Sequence, residues 1–215
     1  MTLTGTESSI RLRAMLRDVP VIPVLVIHDV TQAIPLAEAL VAGGLPVVEV
    51  TLRTPSAIDV IRAMTTVTGC VVGVGTLLCD DDVVAAVDAG ARFGVSPGTT
   101  AALVTSCEQH GLPLLAGVAT VSEMMQHRER GYDVAKFFPA EASGGVSALK
   151  AFSGPLPDFH FCPTGGLSPA NVETYLALPN VLCAGGSWVV PSDHLQSENW
   201  TAIKNLARQA SYLRR

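Results

Sequence analysis

The chain has 215 residues, of which 48% are hydrophobic and 15% charged, so it can bury a large core, and we predict a single domain over residues 1–215. Its formal net charge of −5 argues against nucleic acid or an anionic membrane as a partner. The apolar runs are far shorter than the roughly 20 residues that span a bilayer. Residues 1–9 also lack the basic-then-apolar pattern of a signal peptide, which predicts a cytoplasmic protein.

The cysteines and histidines indicate neither disulfides nor a metal site. Five cysteines are an odd number, none are spaced as C-x-x-C, and most lie beside apolar residues. We therefore expect buried free thiols in a reducing compartment. The five histidines show no H-x-x-x-H spacing and no cluster with cysteine, which argues against a local metal site and leaves open only one assembled from distant residues.

Eight short apolar runs, rich in β-branched residues, begin 20 to 26 residues apart. This spacing leaves room for a strand, a helix and two connections in each unit. The predicted strands are residues 21–27, 47–52, 71–74, 93–95, 114–118, 134–138, 159–162 and 181–184.

Stretches with helical periodicity and capping signals separate these runs. Helices are predicted at residues 31–41 before Gly43-Gly44, at 83–89 after three aspartates, at 121–130 after a Thr120–Glu123 capping box, and from Ser168-Pro169.

Eight strands alternating with helices predict an α/β protein whose parallel sheet is covered by helices. Eight units without a long linker favour a closed (β/α)8, or TIM, barrel, and a doubly wound open sheet is the alternative. Residues 8–18 predict an extra N-terminal amphipathic helix that covers one end of the barrel.

Polar residues lie at the carboxyl ends of the predicted strands, where the active site of such a barrel is found. They are Glu49, Thr51 and Arg53 in and after the second run, Thr76, Ser96-Pro97-Gly98, Lys136 within the sixth run, Thr164-Gly165-Gly166, and Gly185-Gly186-Ser187.

Lys136 stands alone among apolar neighbours, and strand alternation places it on one face with Val134 and Phe138. If that face meets the helices, the lysine stem can reach the surface and the residue is structural. If it faces the barrel interior, burial favours the neutral amine, which can attack a ketone and form an imine. The residues alone leave both interpretations open.

Glu49 interrupts a run of valines, and a buried carboxylate needs a partner or a chemical task. One hypothesis is an ion pair with Lys136 or Arg53 that has no chemistry. The other is proton transfer beside an imine-forming lysine.

Two glycine pairs, Gly165-Gly166 and Gly185-Gly186, follow the last two predicted strands, which is the usual place of a phosphate site in these barrels. Glycine allows backbone N–H groups to approach an anion closely. Either pair alone is consistent with an ordinary tight turn, but two pairs on adjacent strands favour phosphate binding.

Several segments in order resemble one known family over most of the chain, from about Pro20 to past Pro191. The matching segments are residues 48–54, 74–76, 95–98, 136–141, 161–166 and 185–188. They look like those of the 2-dehydro-3-deoxy-6-phosphogluconate (KDPG) and 4-hydroxy-2-oxoglutarate (KHG) aldolases.

The resemblance implies a class I aldolase that cleaves KDPG to pyruvate and glyceraldehyde 3-phosphate, as in the Entner–Doudoroff pathway of carbohydrate metabolism. It implies that Lys136 forms the Schiff base and that Glu49 moves protons. It further implies a homotrimer that needs no cofactor or metal. The implied substrate-binding residues are Arg53, Thr76, Pro97, Phe138 and Thr164, and the implied phosphate-binding residues are Gly165, Gly166, Gly185, Gly186 and Ser187.

Two alternatives remain open at this point. The substrate could instead be the epimeric 2-dehydro-3-deoxy-6-phosphogalactonate or KHG, although the glycines and Ser187 favour a phosphorylated compound. A non-catalytic barrel that binds a phosphorylated metabolite would keep the glycine loops but would leave Lys136 and Glu49 without a function.

Overall fold

The computed structural model describes residues 2–213, in which parallel strands are covered by helices. The strands are β1 (Val21–Leu25), β2 (Val47–Thr51), β3 (Val71–Gly75), β4 (Phe93–Val95), β5 (Leu114–Leu115), β6 (Gly117–Val118), β7 (Val134–Phe137), β8 (His160–Pro163) and β9 (Ala184–Gly186). The helices are α1 (Gly5–Leu16), α2 (Ala33–Ala42), α3 (Ala57–Met64), α4 (Asp80–Asp88), α5 (Ala101–Gln109), α6 (Val121–Glu129), α7 (Gly145–Phe152), α8 (Val172–Leu176), α9 (Ser192–Gln196) and α10 (Trp200–Ser211), with a 3-10 turn at Val30–Gln32.

The strands form a curled parallel arrangement in two sheets. One sheet has the order β5-β4-β3-β2-β1-β9, and the other has the order β6-β7-β8. β5 and β6 are separated only by Ala116, so the single predicted strand 114–118 is divided there. Parallel bridges from Phe161 to Val181 and from Thr164 to Gly185 connect β8 with the segment leading into β9. The predicted α/β class with a parallel sheet is confirmed.

The last predicted strand, 181–184, is wrong in position. β9 covers Ala184–Gly186, because these residues pair in register with Val21, Ile22 and Pro23 of β1. Val181 makes only the isolated bridge to Phe161. Apolar patterning favoured the valine and treated the glycines as a turn, whereas the glycines themselves form the strand.

Helix starts show the expected capping chemistry, with two shifts. α6 begins with the predicted Thr120–Glu123 capping box. α4 begins at Asp80, so the three aspartates form its first turn instead of preceding the helix. The start predicted at Pro169 is wrong, since Ser168 to Asn171 form a turn in which Asn171 Oδ1 accepts the N–H of Ser168 at 2.8 Å, and α8 begins at Val172.

The N-terminal helix α1 lies at the amino-terminal ends of the strands. It begins at Gly5, earlier than predicted, because Thr4 and Glu7 form a capping box. The Ser8 and Ser9 hydroxyls accept the backbone N–H groups of Leu114 (3.0 Å) and Asp133 (3.1 Å), which lie where β5 and β7 begin. α1 is therefore attached to the end opposite the predicted active site.

His127 on α6 makes stability depend on pH. It is 1% exposed, and its ring stacks on Tyr132 with centroids 4.1 Å apart. Burial, assisted by the charge of Arg130, lowers the pKa of His127 from 6.5 to about 4. The unfolded chain therefore takes up a proton at a pH where the folded chain does not. We expect the contribution of His127 to lower the free energy of unfolding by about 3 kcal/mol as pH drops from 6.5 to 4.

Denaturant unfolding between those pH values tests this expectation against His127→Phe, which keeps an aromatic ring beside Tyr132. The variant should lose most of the pH dependence. His28→Gln, at an exposed histidine, should retain it. Parallel curves for wild type and His127→Phe would contradict the assignment.

Candidate active site

Lys136 lies on β7 and is 6% exposed. Its Nζ is 3.6 Å from Oε1 of Glu49 on β2 and 4.9 Å from the ring centroid of Phe138. Since β2 and β7 do not pair with each other, this contact crosses the space that the strands enclose. Lys136 therefore faces the interior and not the helices, which decides between the two interpretations that the sequence left open.

Glu49 is 3% exposed, and its Oε1 accepts no hydrogen bond from any residue between 2 and 213. At 3.6 Å the contact with Lys136 is an ion pair too long to be a hydrogen bond. Burial raises the pKa of Glu49, and the charges of Lys136 and Arg53 oppose this only in part. A carboxyl group with a raised pKa can act as a proton donor as well as a proton acceptor.

The backbone of β3 makes room for this carboxylate. A Cβ at Gly75 would lie 2.2 Å from Oε1 and 2.7 Å from Cγ of Glu49, so no side chain fits without moving Glu49. The next residue, Thr76, has a φ of +66°, a conformation that is rare for a β-branched residue. Such local strain is common at ligand sites.

Thr164 and the two glycines after it form a loop beside Phe138. Thr164 is 8% exposed, and its N–H donates to the carbonyl of Phe137 at 2.9 Å. Gly165 and Gly166 have φ values of +100° and +81°. A Cβ at Gly165 would lie 3.3 Å from the Phe138 ring. The loop therefore packs on the aromatic ring that also contacts the Lys136 amine.

One N–H group of this loop is available to a ligand. The backbone amide of Gly166 donates to no backbone acceptor within residues 2–213, whereas that of Gly165 faces β9 across the Thr164–Gly185 bridge. Unpaired N–H groups that no Cβ shields are suited to hold an anion.

On β9, the glycines expected in a turn belong to the strand itself, and close packing explains their identity. A Cβ at Gly185 would lie 2.2 Å from Oγ1 of Thr164, and one at Gly186 would lie 1.9 Å from the Trp188 ring. Ser187 follows directly and is exposed. The predicted phosphate-binding residues therefore converge, because Thr164 contacts Gly185 across the β8–β9 bridge.

A cavity of about 490 Å³ adjoins Ser187 on the side of β1. Its volume is in the range of small-molecule sites. The wall combines apolar and polar groups from the carboxyl end of β1, the loop after it and α9, among them Val24, His28, Gln32, Ser187 and Leu195. Lys136 and Glu49 are not part of this wall.

Arg53 and Pro97 follow β2 and β4, which lie on either side of β3. Arg53 is exposed, acts on Glu49 through its charge, and takes part in no ion pair within the described chain. The Pro97 carbonyl lies 2.2 Å from where a Cβ of Gly117 would be, and Gly117 is in register with Lys136. Phe138, by contrast, contacts Lys136 directly.

Three polar residues behind the glycine loop were not predicted. Glu141 Oε1 accepts hydrogen bonds from the Tyr175 hydroxyl and, at 3.4 Å, from Asn171 Nδ2. Asn171 Nδ2 also donates to the carbonyl of Gly166 at 3.1 Å. Glu141 ends the distinctive segment 136–141, which was the signal in the sequence, whereas Asn171 and Tyr175 belong to no recognisable pattern.

Residues 2–213 contain neither a metal ligand set nor a membrane-spanning helix. In that range, His, Cys, Asp and Glu side chains form no group of three that could hold a metal ion. No helix in the same range has the length and apolar character needed to cross a bilayer. The five cysteines form no disulfide within residues 2–213; Cys107, Cys162 and Cys183 are buried and Cys79 is exposed.

Two solved structures share this fold and much of the sequence. A KDPG aldolase from Legionella pneumophila, with pyruvate captured at low pH as a covalent carbinolamine intermediate, is 47% identical with a TM-score of 0.89, and the match covers 92% of this chain and 97% of that one. A Zymomonas mobilis KDPG aldolase with 3-phosphoglycerate is 46% identical with a TM-score of 0.89, and the match covers 94% and 95% of the two chains.

Sequence comparison agrees with these structures. A 2-dehydro-3-deoxy-phosphogluconate aldolase of Pseudoalteromonas atlantica is 52% identical over 192 residues, which are 89% of each chain. The family model for KDPG and KHG aldolase matches residues 12–206. This chain therefore belongs to the KDPG and KHG aldolase family.

Proposed function

We propose that this protein is a class I aldolase that cleaves KDPG to pyruvate and glyceraldehyde 3-phosphate through an imine on Lys136. The observation that carries the proposal is the buried contact between Lys136 Nζ and Glu49 Oε1 at 3.6 Å. An amine that can lose its proton and a carboxyl group with a raised pKa are the two groups that imine formation requires. A purely binding barrel has no need of either.

In the first step, the neutral amine of Lys136 attacks the C2 carbonyl of the keto acid and forms a carbinolamine. Glu49 then donates a proton to the C2 hydroxyl, which leaves as water and gives the protonated imine. Arg53 holds the substrate carboxylate, since a planar guanidinium can make two parallel hydrogen bonds to it.

In the second step, the protonated imine acts as an electron sink. The Glu49 carboxylate, now ionised, accepts the proton of the C4 hydroxyl, the C3–C4 bond breaks, and the aldehyde leaves. The electron pair of the C3–C4 bond moves into the protonated imine and leaves the enamine of pyruvate on Lys136. Protonation at C3 and hydrolysis of the imine then release pyruvate and restore Lys136.

The phosphate of the substrate would bind at the loop after β8 and the end of β9. The unpaired amide of Gly166 and the exposed Ser187 hydroxyl supply donors, and the glycines at 165, 185 and 186 let the phosphate approach the backbone closely. Thr76, Pro97, Phe138 and Thr164 shape the pocket around the keto acid. No metal or other cofactor enters this mechanism, because the lysine imine supplies the electron sink.

For the protein as a whole, we propose a single-domain (β/α)8 barrel with α1 as an additional helix. Strands β5 and β6 act as one staggered strand, and the Thr164–Gly185 and Phe161–Val181 bridges support closure between β8 and β9. We further propose a cytoplasmic homotrimer whose ligands are small phosphorylated keto acids and pyruvate, with no nucleic acid or membrane partner.

Borohydride reduction of the wild-type protein with pyruvate tests the proposal. Peptide mass spectrometry should find a 1-carboxyethyl group, the product of imine reduction, on Lys136 and not on Lys150 or Lys204, the other two lysines. Release of pyruvate from KDPG should be detected in parallel. No adduct on a folded protein would contradict the imine and would favour a binding barrel.

A second candidate substrate is KHG, because the matching family includes aldolases for both compounds. Values of kcat/KM for KDPG, its galactonate epimer and KHG separate the possibilities. We expect KDPG to be preferred over KHG, since KHG has no phosphate for the glycine loop. A higher kcat/KM for KHG would assign the site to the unphosphorylated substrate.

A further inference from the structure

Glu141 has no part in the chemistry described above, yet it is bonded to the loop proposed to bind phosphate. Its backbone N–H donates to the carbonyl of Gly165 at 3.1 Å, beside the bond from Ala140 N–H to the carbonyl of Thr164 at 2.8 Å. The residue that follows the catalytic strand β7 is thus paired with the loop that follows β8.

The side chain of Glu141 also limits the conformation of that loop. A Cβ at Gly166 would lie 2.6 Å from Cγ and 2.7 Å from Cβ of Glu141. With a φ of +81°, Gly166 lies in a region that L side chains rarely adopt. The absence of a side chain at Gly166 is therefore required by the contact with Glu141 as well as by the backbone.

Two further residues fix the carboxylate in this place. Oε1 of Glu141 accepts the hydroxyl of Tyr175, which is fully buried on α8, and the amide of Asn171 at 3.4 Å. Asn171 Nδ2 also donates to the Gly166 carbonyl at 3.1 Å. Carboxylate, amide and loop carbonyl thus form one connected network, although Glu141 itself is exposed at the surface.

The negative charge of Glu141 repels a nearby phosphate, so its contribution to phosphate binding must come through the loop and not through direct contact. Hydrogen bonds to a charged acceptor are stronger than neutral ones. The network can therefore hold the Gly165 and Gly166 carbonyls turned toward the protein while the Gly166 N–H remains unpaired.

We propose that Glu141, acting through Tyr175 and Asn171, is a positioning residue that holds the Gly165–Gly166 loop in the conformation that binds the phosphate of the substrate. This inference rests on the proposed function and deepens it. Glu141 governs recognition of the phosphate and not formation of the imine. Its loss should therefore affect substrates that carry phosphate and leave the reaction of Lys136 with pyruvate intact.

The test compares Glu141→Ala, Tyr175→Phe and the conservative Glu141→Gln, whose amide oxygen can still accept both hydrogen bonds. Loss of one charge-assisted hydrogen bond of about 1.4 kcal/mol should raise KM for KDPG by about tenfold in the first two variants. The Gln variant should be largely restored. The rate of pyruvate imine formation, measured by borohydride trapping, should stay within about twofold of wild type in all three.

Glu173→Ala is the matched control, since Glu173 is an exposed glutamate on the same helix as Tyr175. Ser187→Ala gives the effect expected of a residue in direct contact with the phosphate. An unchanged KM for KDPG in both Glu141→Ala and Tyr175→Phe would overturn the inference. So would a parallel loss of imine formation, because that indicates a general structural role.

Failure of the proposed function has a different signature in the same experiment. If wild type forms the pyruvate imine but does not cleave KDPG, the proposed substrate is wrong and the positioning role is overturned with it. If wild type cleaves KDPG, and Glu141→Ala and Tyr175→Phe have the same KM for KDPG as wild type, the substrate assignment stands and the positioning role does not.

Discussion

Replacing Lys136 with methionine or with arginine should lower kcat/KM for KDPG by at least about 10⁴-fold, because neither side chain can form an imine. Methionine keeps the approximate length of the side chain and removes the amine. Arginine keeps a positive charge close to Glu49, whose Oε1 lies 3.6 Å from Lys136 Nζ in the wild type, but it remains protonated at any working pH. Both variants should also lose the borohydride-trapped pyruvate adduct.

Lys150→Met is the matched control for these variants. Lys150 is an exposed lysine on α7 and has no place in the proposed chemistry, so its replacement should leave both turnover and adduct unchanged. Circular dichroism shows whether each variant is folded. Turnover of Lys136→Met within about tenfold of wild type would contradict a mechanism based on this lysine.

Glu49→Gln should lower kcat for KDPG by about 10²- to 10⁴-fold while the protein remains folded. The amide has almost the same shape as the carboxyl group, but it cannot carry a proton to the C2 hydroxyl or accept one from the C4 hydroxyl. Single-turnover measurements should show slow formation of the imine as well as slow bond cleavage. Glu129→Gln, at an exposed glutamate on α6, should behave as wild type.

The same substitution has a second, independent readout in stability. Burial raises the pKa of Glu49 above its ordinary value of 4.5, so the folded state binds more protons than the unfolded state just above that pH. The contribution is therefore present below pH 4.5 and is lost as pH rises through the raised pKa. Glu49→Gln should remove this decline. If the free energy of unfolding depended on pH identically in wild type and variant, the pKa of Glu49 would not be raised in the folded protein.

The sequence was sufficient to predict most of the strand positions and both members of the ion pair. Eight evenly spaced runs rich in β-branched residues predicted the strands. Because the active site of such a barrel lies at the carboxyl ends of its strands, Glu49 and Lys136 were expected at the same rim. It could not determine which face Lys136 occupies, because alternation along one strand leaves two equivalent choices. Only the approach of β2 to β7, which are far apart in the chain, decides that question.

The misplaced β9 and the missed network around Glu141 have a common physical origin in contacts between distant residues. The position of β9 depends on pairing with β1, and its glycines are required by Thr164 and Trp188 rather than by a local turn. The network of Glu141 and Tyr175 likewise joins residues 34 positions apart. Patterns read over ten or fifteen residues contain no information about such contacts.

The tight packing at Gly75 and Gly185 has a consequence for changing the substrate range of this enzyme. Both positions border the site, yet neither can accept even a methyl group without displacing Glu49 or Thr164. The wall formed by the loop after β1 and by α9 instead borders open space at His28, Gln32 and Leu195, so we expect substitutions to be tolerated there. Libraries aimed at new aldehydes should therefore be built on that wall, which can be remodelled without touching the groups that make and break the carbon–carbon bond.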